Sequence, residues 1–214
     1  MEAEFWLKKW EAQEIGFHLA SANPLLVRHC RALALDPGDR IFLPLCGKTL
    51  DIGWLLANGY RVAGAELSES AVKDLFHELG MSPTVSEAGA LRRYTGDNLD
   101  IFVGDIFDLT GGVLGPVDAI YDRAALVALP EDMRQRYAGH LVQISNSAPQ
   151  LLICFEYDQS AMAGPPFSID ADEVRRRYGG VYHLRLVETV DVEGGLKGVC
   201  AAKEHAWLLS PVDR

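Results

Sequence analysis

Hydrophobic and polar positions follow two spacings along this chain. Ile41-Phe42-Leu43 is an unbroken apolar run of strand length, and Leu50 to Ala57 carries an apolar stripe at helical spacing that ends at Asn58-Gly59. Arg61 to Glu66 reads as a second strand, and Ser68 caps a helix that runs to about Leu79 and stops at Gly80. The alternation returns with strands at Leu99 to Val103 and Ala119 to Tyr121, a helix from Pro130 to about Ile144, and a strand at Leu151 to Tyr157. Upstream, Glu4 to Leu35 reads as helical, with Trp6, Trp10 and Phe17 among polar neighbours. It breaks near Gly16 and again at Asn23-Pro24, where a cap followed by proline can start a new helix. Strands separated by helices predict a parallel, doubly wound α/β sheet. After a helix around Asp172 to Tyr178, His183 to Val192 and Gly198 to Leu209 are joined by a short Gly-Gly turn, so they must pair antiparallel.

The 214 residues, 49 % of them hydrophobic, suffice for one domain with a sizeable core. A formal net charge of -10 opposes a surface that tracks a phosphate backbone, so nucleic acid is excluded as a partner. Arg175-Arg176-Arg177 follows Asp172 and Glu173 and reads as a solvated helix face. Cys30, Cys46, Cys154 and Cys200 form no CxxC pair, and no secretory or transit segment precedes the first helical stretch. Reduced thiols in a cytoplasm are expected. The six histidines lack the spacing that puts two imidazoles on one ion, so no metal is expected. No apolar run reaches the roughly 20 residues that span a bilayer.

Gly47-Lys48-Thr49 has the closing letters of a phosphate-binding loop, but Phe42 stands where such a loop needs its first glycine, and Pro44 removes an N–H donor. The same strand, turn and helix can instead pass under a nucleoside, with an acidic residue at the end of the next strand holding its ribose. Glu66 stands there, about twenty residues beyond Gly47, although a strand-end Glu can also be merely solvated. A nicotinamide dinucleotide would suit that carboxylate too, but GxGxxG is absent. In "FVGDIFDL", Asp105 is the candidate for reading an adenine edge, or it forms an Asx turn. In "AIYDRAALVALP", Asp122 and Arg123 emerge at the strand edge where open α/β sheets bind ligands, or they form an ion pair that orients a loop. "GPPF", Gly164 to Phe167, differs from the [DNS]PP[YF] motif of amino-methylating enzymes by its Gly164 and by following the fifth strand. It is a rim over a substrate mouth or a plain loop.

Taken together, "FWLKKWEAQEIGFH", "FLPLCGKTLDIGWL", "GAELSESAV", "DIFDL", "YDRAALVAL" and "GPPF" resemble the thiopurine S-methyltransferase family, its bacterial members above all, over Phe5 to Leu209. The resemblance implies a seven-stranded, mostly parallel Rossmann-like sheet closed by a C-terminal antiparallel hairpin, the class I S-adenosylmethionine-dependent methyltransferase fold. It implies a single domain over residues 1–214, with residues 1–35 a helical segment covering the cofactor. It also implies S-adenosylmethionine held by residues matching Trp10, Leu45, Glu66, Ile106 and Arg123, beside the Asp105 already noted. The substrate side would be Phe17, Arg123 and Phe167, and Asp122 a proton acceptor for neutral thiols. Methyl transfer to sulfur of thiopurines and other aromatic or heterocyclic thiols follows, with selenium and tellurium oxyanions as further acceptors, by a monomer. Vertebrate members carry an arginine in a longer final hairpin connection, whereas this chain has Lys197. A different class remains beside this one: a domain of the same fold that holds S-adenosylmethionine without turning it over.

Overall fold

The computed structural model describes residues 3–12 and 20–212. Nine strands make one sheet: β1 Arg40–Leu43, β2 Arg61–Glu66, β3 Thr84–Ala88, β4 Leu91–Gly96, β5 Leu99–Val103, β6 Ala119–Arg123, β7 Gln150–Tyr157, β8 Tyr182–Asp191 and β9 Ala202–Pro211. The helices are α1 Ala3–Glu11, α2 Pro24–His29, α3 Leu50–Ala57, α4 Glu69–Glu78, α5 Gly111–Leu114, α6 Glu131–Ile144 and α7 Ala171–Tyr178. The predicted caps are present: the Asn23 side chain accepts the Leu25 N–H at α2, and the Ser68 hydroxyl accepts the Ala71 N–H at α4.

Strand order is β3-β4-β5-β2-β1-β6-β7-β9-β8. The pairs β1–β2, β1–β6, β2–β5 and β6–β7 are parallel, and β7–β9 and β8–β9 antiparallel. The fold class is the expected one, but the sheet has nine strands rather than seven. The two additional strands, β3 and β4, form an antiparallel hairpin hung on β5. Their pattern hid them, because β3 is exposed at four of its five positions and β4 buries only Leu91 and Tyr94. A second correction concerns the final hairpin. Ten residues, 192–201, connect β8 to β9, and the Gly194-Gly195 turn leads into a small bridge of Leu196 with Cys200.

Each face of the sheet buries its own core. Phe42, Ala63, Ala65, Ile120 and Leu152 pack with Tyr137, Leu141 and Val174 of α6 and α7. Ile41, Leu43, Val62, Tyr121 and Ile153 pack with Leu25 and Leu26 of α2, Ile52 of α3 and Leu75 of α4. Neighbours along a strand therefore serve opposite faces, as the two-residue period requires. Gly64 meets a steric limit here: a Cβ would stand 2.6 Å from Ile101 Cδ1 and 2.8 Å from Cys46 Sγ. All four cysteines are free thiols, and among the described residues no helix is long and apolar enough to cross a membrane.

The three consecutive arginines of α7 are not uniformly solvated. Arg175 pairs with Asp172 at the surface, whereas the Arg177 side chain, 9 % exposed, lies 3.0 Å from Glu173 Oε1. Arg134 Nε of α6 approaches the same oxygen at 3.0 Å, and the Glu173 and Arg134 side chains are 8 % and 7 % exposed. One buried carboxylate thus neutralises two buried guanidiniums that join α6 to α7. Removing its charge strands the Arg134 guanidinium, whereas Arg177 keeps Glu131 at 3.8 Å, so Glu173→Gln is expected to lower the unfolding free energy by about 3 kcal/mol. Urea denaturation measures this, and a change below about 1 kcal/mol, the range of exposed pairs, would contradict it.

Candidate active site

The carboxyl ends of β1, β2, β5 and β6 meet where strand order departs from β1 in both directions, the crevice in which doubly wound sheets hold ligands. The turn after β1 is tight: Leu45 stands at φ +47° and Gly47 at φ +54°. The Cys46 N–H donates to the Ala65 carbonyl at 2.9 Å, which ties this turn to β2. Lys48 does not face a phosphate cradle. Its ammonium lies 2.7 Å from Glu78 Oε1 and 3.6 Å from Asp74 Oδ2, on α4.

Glu66 ends β2 and is buried. The Gly47 N–H donates to its Oε2 at 2.7 Å and the Ser68 N–H to its Oε1 at 2.8 Å. Burial pushes its pKa up, and the Ser68 and Gly47 N–H groups restrain the rise. A carboxylate has about four acceptor sites, so two N–H bonds orient it and leave room for two hydroxyl donors. Beside it, the Gly104 N–H donates to the Glu66 carbonyl at 2.9 Å. Gly104 is at φ +143° with Leu91 Cδ2 of β4 only 2.4 Å from a Cβ position, so this position just past β5 requires glycine.

Further along, Asp105 is exposed, and its Oδ1 accepts the Phe107 N–H at 2.9 Å, capping the short 3-10 turn Ile106–Asp108. Ile106 is buried, and its carbonyl is 2.8 Å from His140 Nε2 on α6. Trp10 of α1 is buried, whereas Phe17 lies outside the described residues.

The two last residues of β6 separate. Asp122 is fully buried on the α6 side, where its Oδ1 accepts the Leu126 N–H at 3.1 Å and its Oδ2 the Tyr137 hydroxyl at 2.8 Å. It is sealed from solvent with both oxygens engaged, which does not favour the expected proton-acceptor role. Nor does it pair with Arg123. Arg123 is half-buried on the opposite face and, among the described residues, makes no hydrogen bond or ion pair. Its charge acts on Glu204 of β9, whose pKa burial raises and Arg123 pulls back.

A polar cluster on this face was not anticipated. Asp51 accepts the Asn23 N–H at 2.7 Å and the Tyr121 hydroxyl at 3.0 Å, and Asn23 Nδ2 reaches Glu204 Oε1 at 3.3 Å. Asn23 was legible only as a cap, and nothing in the spacing of Asp51, Tyr121 and Glu204 signals that they converge.

The Gly164–Phe167 segment is a braced rim. The Phe167 N–H donates to the Val127 carbonyl at 2.7 Å, four residues past Arg123, and the Arg134 guanidinium sits 5.7 Å from the Phe167 ring centre. The Tyr157 hydroxyl donates to the Pro166 carbonyl at 2.7 Å, and the Lys197 ammonium to the Pro165 carbonyl at 2.8 Å. At Gly164, φ is +80° and a Cβ would stand 2.6 Å from the Phe167 ring.

The family model described as Thiopurine S-methyltransferase matches residues 1–210. A protein of Xanthobacter autotrophicus named Thiopurine S-methyltransferase is 58 % identical over 210 residues, covering 98 % of this chain and 99 % of its own. Two solved structures share the fold. A S-adenosylmethionine-dependent methyltransferase of Anabaena variabilis superposes with a TM-score of 0.67 at 14 % identity, over 98 % of this chain and 95 % of its own. The 1,6-didemethyltoxoflavin-N1-methyltransferase of Burkholderia thailandensis, solved with S-adenosylhomocysteine, superposes with a TM-score of 0.65 at 14 % identity, over 97 % and 87 %.

Burial, opposed by the Tyr137 and Leu126 bonds, pushes the Asp122 pKa up from 3.8 to about 6. The folded protein therefore binds this proton more tightly than the unfolded chain. The contribution favours folding below about pH 4 and is lost as pH rises through about 6, a change of about 3 kcal/mol. Asp122→Asn lacks this dependence, so its stability relative to the parent is expected to climb by that amount between pH 4 and 7. Urea unfolding at several pH values measures the difference; curves that stay parallel would refute the burial of an ionising carboxyl here.

Proposed function

The chain belongs to the thiopurine S-methyltransferase family and takes S-adenosylmethionine as its cofactor, and on that premise we propose that it methylates sulfur in thiopurines and in other aromatic or heterocyclic thiols. Selenium and tellurium oxyanions are the further acceptors in this reading, so that metalloid detoxification joins thiol methylation. The observation that carries the proposal is a buried, N–H-aligned Glu66 at the crevice end of β2 together with an Arg123 at that of β6 that has no hydrogen bond or ion pair among the described residues.

In this reading the free acceptor sites of Glu66 take the two ribose hydroxyls, while Leu45 and Ile106 bound the nucleoside and Asp105 borders its base. Arg123 holds the cofactor's carboxylate and borders the substrate. Trp10 and the rest of the N-terminal segment, residues 1–35, cover the cofactor, and Phe17 and Phe167 wall the substrate. Bound S-adenosylmethionine supplies an electrophilic methyl group on a sulfonium. What the chain adds is alignment and exclusion of water, because the braced rim at Gly164–Phe167 keeps its shape without a substrate to order it. No side chain need move a proton if the thiol arrives as thiolate, which fits the sealed position of Asp122. A cytoplasmic monomer that leaves nucleic acid alone completes the proposal, consistent with the net charge of -10.

Radiolabelled methyl transfer to a panel of thiopurines, aryl thiols, selenite and tellurite tests the substrate class. Turnover of the thiols is expected, and a panel without any methylated thiol would overturn the assignment. For the cofactor contact, Glu66→Gln replaces an acceptor oxygen with a donor that opposes the Gly47 or Ser68 N–H. It should weaken S-adenosylmethionine binding by about 10- to 150-fold, or roughly 1.5–3 kcal/mol. Calorimetry showing unchanged affinity would refute the ribose role.

Arg123→Lys keeps the charge but loses the two-pronged geometry that grips a carboxylate. It is expected to lower kcat/KM at least about tenfold, equivalent to about 1.4 kcal/mol, with little change in Tm. A fall in Tm with unimpaired turnover of the folded fraction would mark Arg123 as structural instead.

A further inference from the structure

We infer that Asp122 is a positioning residue for Arg123: from the sealed side of the sheet its carboxylate closes the turn after β6 and so fixes where the Arg123 guanidinium stands on the cleft side. The inference rests on Arg123 serving the cofactor, as proposed above. Neighbouring residues on a strand face opposite ways, so Asp122 cannot touch the ligand that its neighbour meets. It acts instead through the backbone they share. Ala124 follows at φ +64°, a left-handed conformation that a residue with a Cβ adopts only where its surroundings hold it. The Leu126 N–H on Asp122 Oδ1 spans that residue, and the Tyr137 hydroxyl on Oδ2 anchors the closed turn to α6. On the cleft side nothing else can do this, because Arg123 has no hydrogen bond or ion pair among the described residues.

The groups facing Asp122 make the carboxylate the one member of its nest that changes charge near neutral pH. Tyr137 comes from α6, Tyr178 from α7 and Cys154 from β7, and burial pushes all three upward, so each stays neutral. No cation pairs with Asp122 among the described residues. Protonating it places hydrogen on an oxygen that now accepts from Tyr137 or Leu126. The charge that strengthens both bonds closing the turn is then lost.

Binding of S-adenosylhomocysteine, which has no thiol and no group of its own titrating between pH 5 and 8, is the direct test. Calorimetry compares the parent with Asp122→Asn and Tyr137→Phe across that range, and Tm at each pH verifies that the variants are folded. Asp122→Asn is near-isosteric but permanently neutral. It should bind about tenfold more weakly than the parent at pH 7.5 and match it at pH 5, whereas any contribution from Glu66 is common to both. Tyr137→Phe lacks one of the two bonds at every pH, so its deficit should likewise persist at pH 7.5 to 8, where the parent's bond is strongest, and narrow toward pH 5. A deficit that is constant with pH, or no deficit in either variant, overturns the positioning role. Should Asp122→Asn fail to fold, the Tyr137→Phe profile decides alone. If Arg123→Lys binds S-adenosylhomocysteine as the parent does, the premise about Arg123 fails instead, and the two failures are told apart.

Discussion

A carboxylate held inside the protein at the end of β2 is the constraint on which the rest of the crevice depends. Left alone, a buried Glu66 would give up its charge, because desolvation disfavours the ionised form. Two backbone N–H groups, one from the turn after β1 and one from the start of α4, oppose that tendency at 2.7 and 2.8 Å. The same bonds dictate backbone shape. Gly47 presents its N–H from a Leu45–Gly47 turn that passes through left-handed conformations, and Gly104, which donates to the Glu66 carbonyl, stands at φ +143° where a side chain would meet Leu91 of β4. The buried charge and the geometry of the strand ends around it are thus one arrangement.

Much of this was legible in the sequence where period and punctuation agree. The bounds of α3, β2 and β5 were readable because Asn58-Gly59, Ser68 and the buried apolar runs are local signals. The hairpin β3–β4 was not, since an edge strand facing water at Thr84, Val85, Ser86 and Glu87 has no apolar rhythm to read. At the site, the place of Glu66 follows from topology alone. The fate of Asp122 does not. Its type and position suit a base at a cleft edge, and only the pleat, which turns it toward Tyr137, disfavours that role. Asn23, Asp51 and Glu204 were out of reach for another reason: they are brought together by docking α2 against β9, and sequence separation hides such contacts.

The ends of the chain are fastened to each other through the body of the fold. Arg28 Nη2 and His29 Nε2 of α2 lie 2.9 and 2.5 Å from the Glu188 carboxylate of β8, at the irregularity between Leu186 and Glu188. With Asn23 reaching Glu204 on β9, the helix that precedes the sheet is seated on its last two strands. Helix α2 and the C-terminal hairpin therefore share one polar seam, and its Glu204 lies within the electrostatic reach of Arg123.

The rim is built differently. Its brace comes partly from the final connection: Leu196 of the β8–β9 connection packs with Tyr157 at the end of β7, alongside Met162 and Cys200, in a small core of its own, and Lys197 reaches over to the Pro165 carbonyl. The rim is therefore held both by the body of the fold, through Val127 and Tyr157, and by a connection remote in sequence from the β1 turn. Lengthening, shortening or recharging ten residues between two antiparallel strands would reshape the opening while leaving the β1 turn and Glu66 as they are. Choice of acceptor and grip on the methyl donor can then drift independently in one small protein.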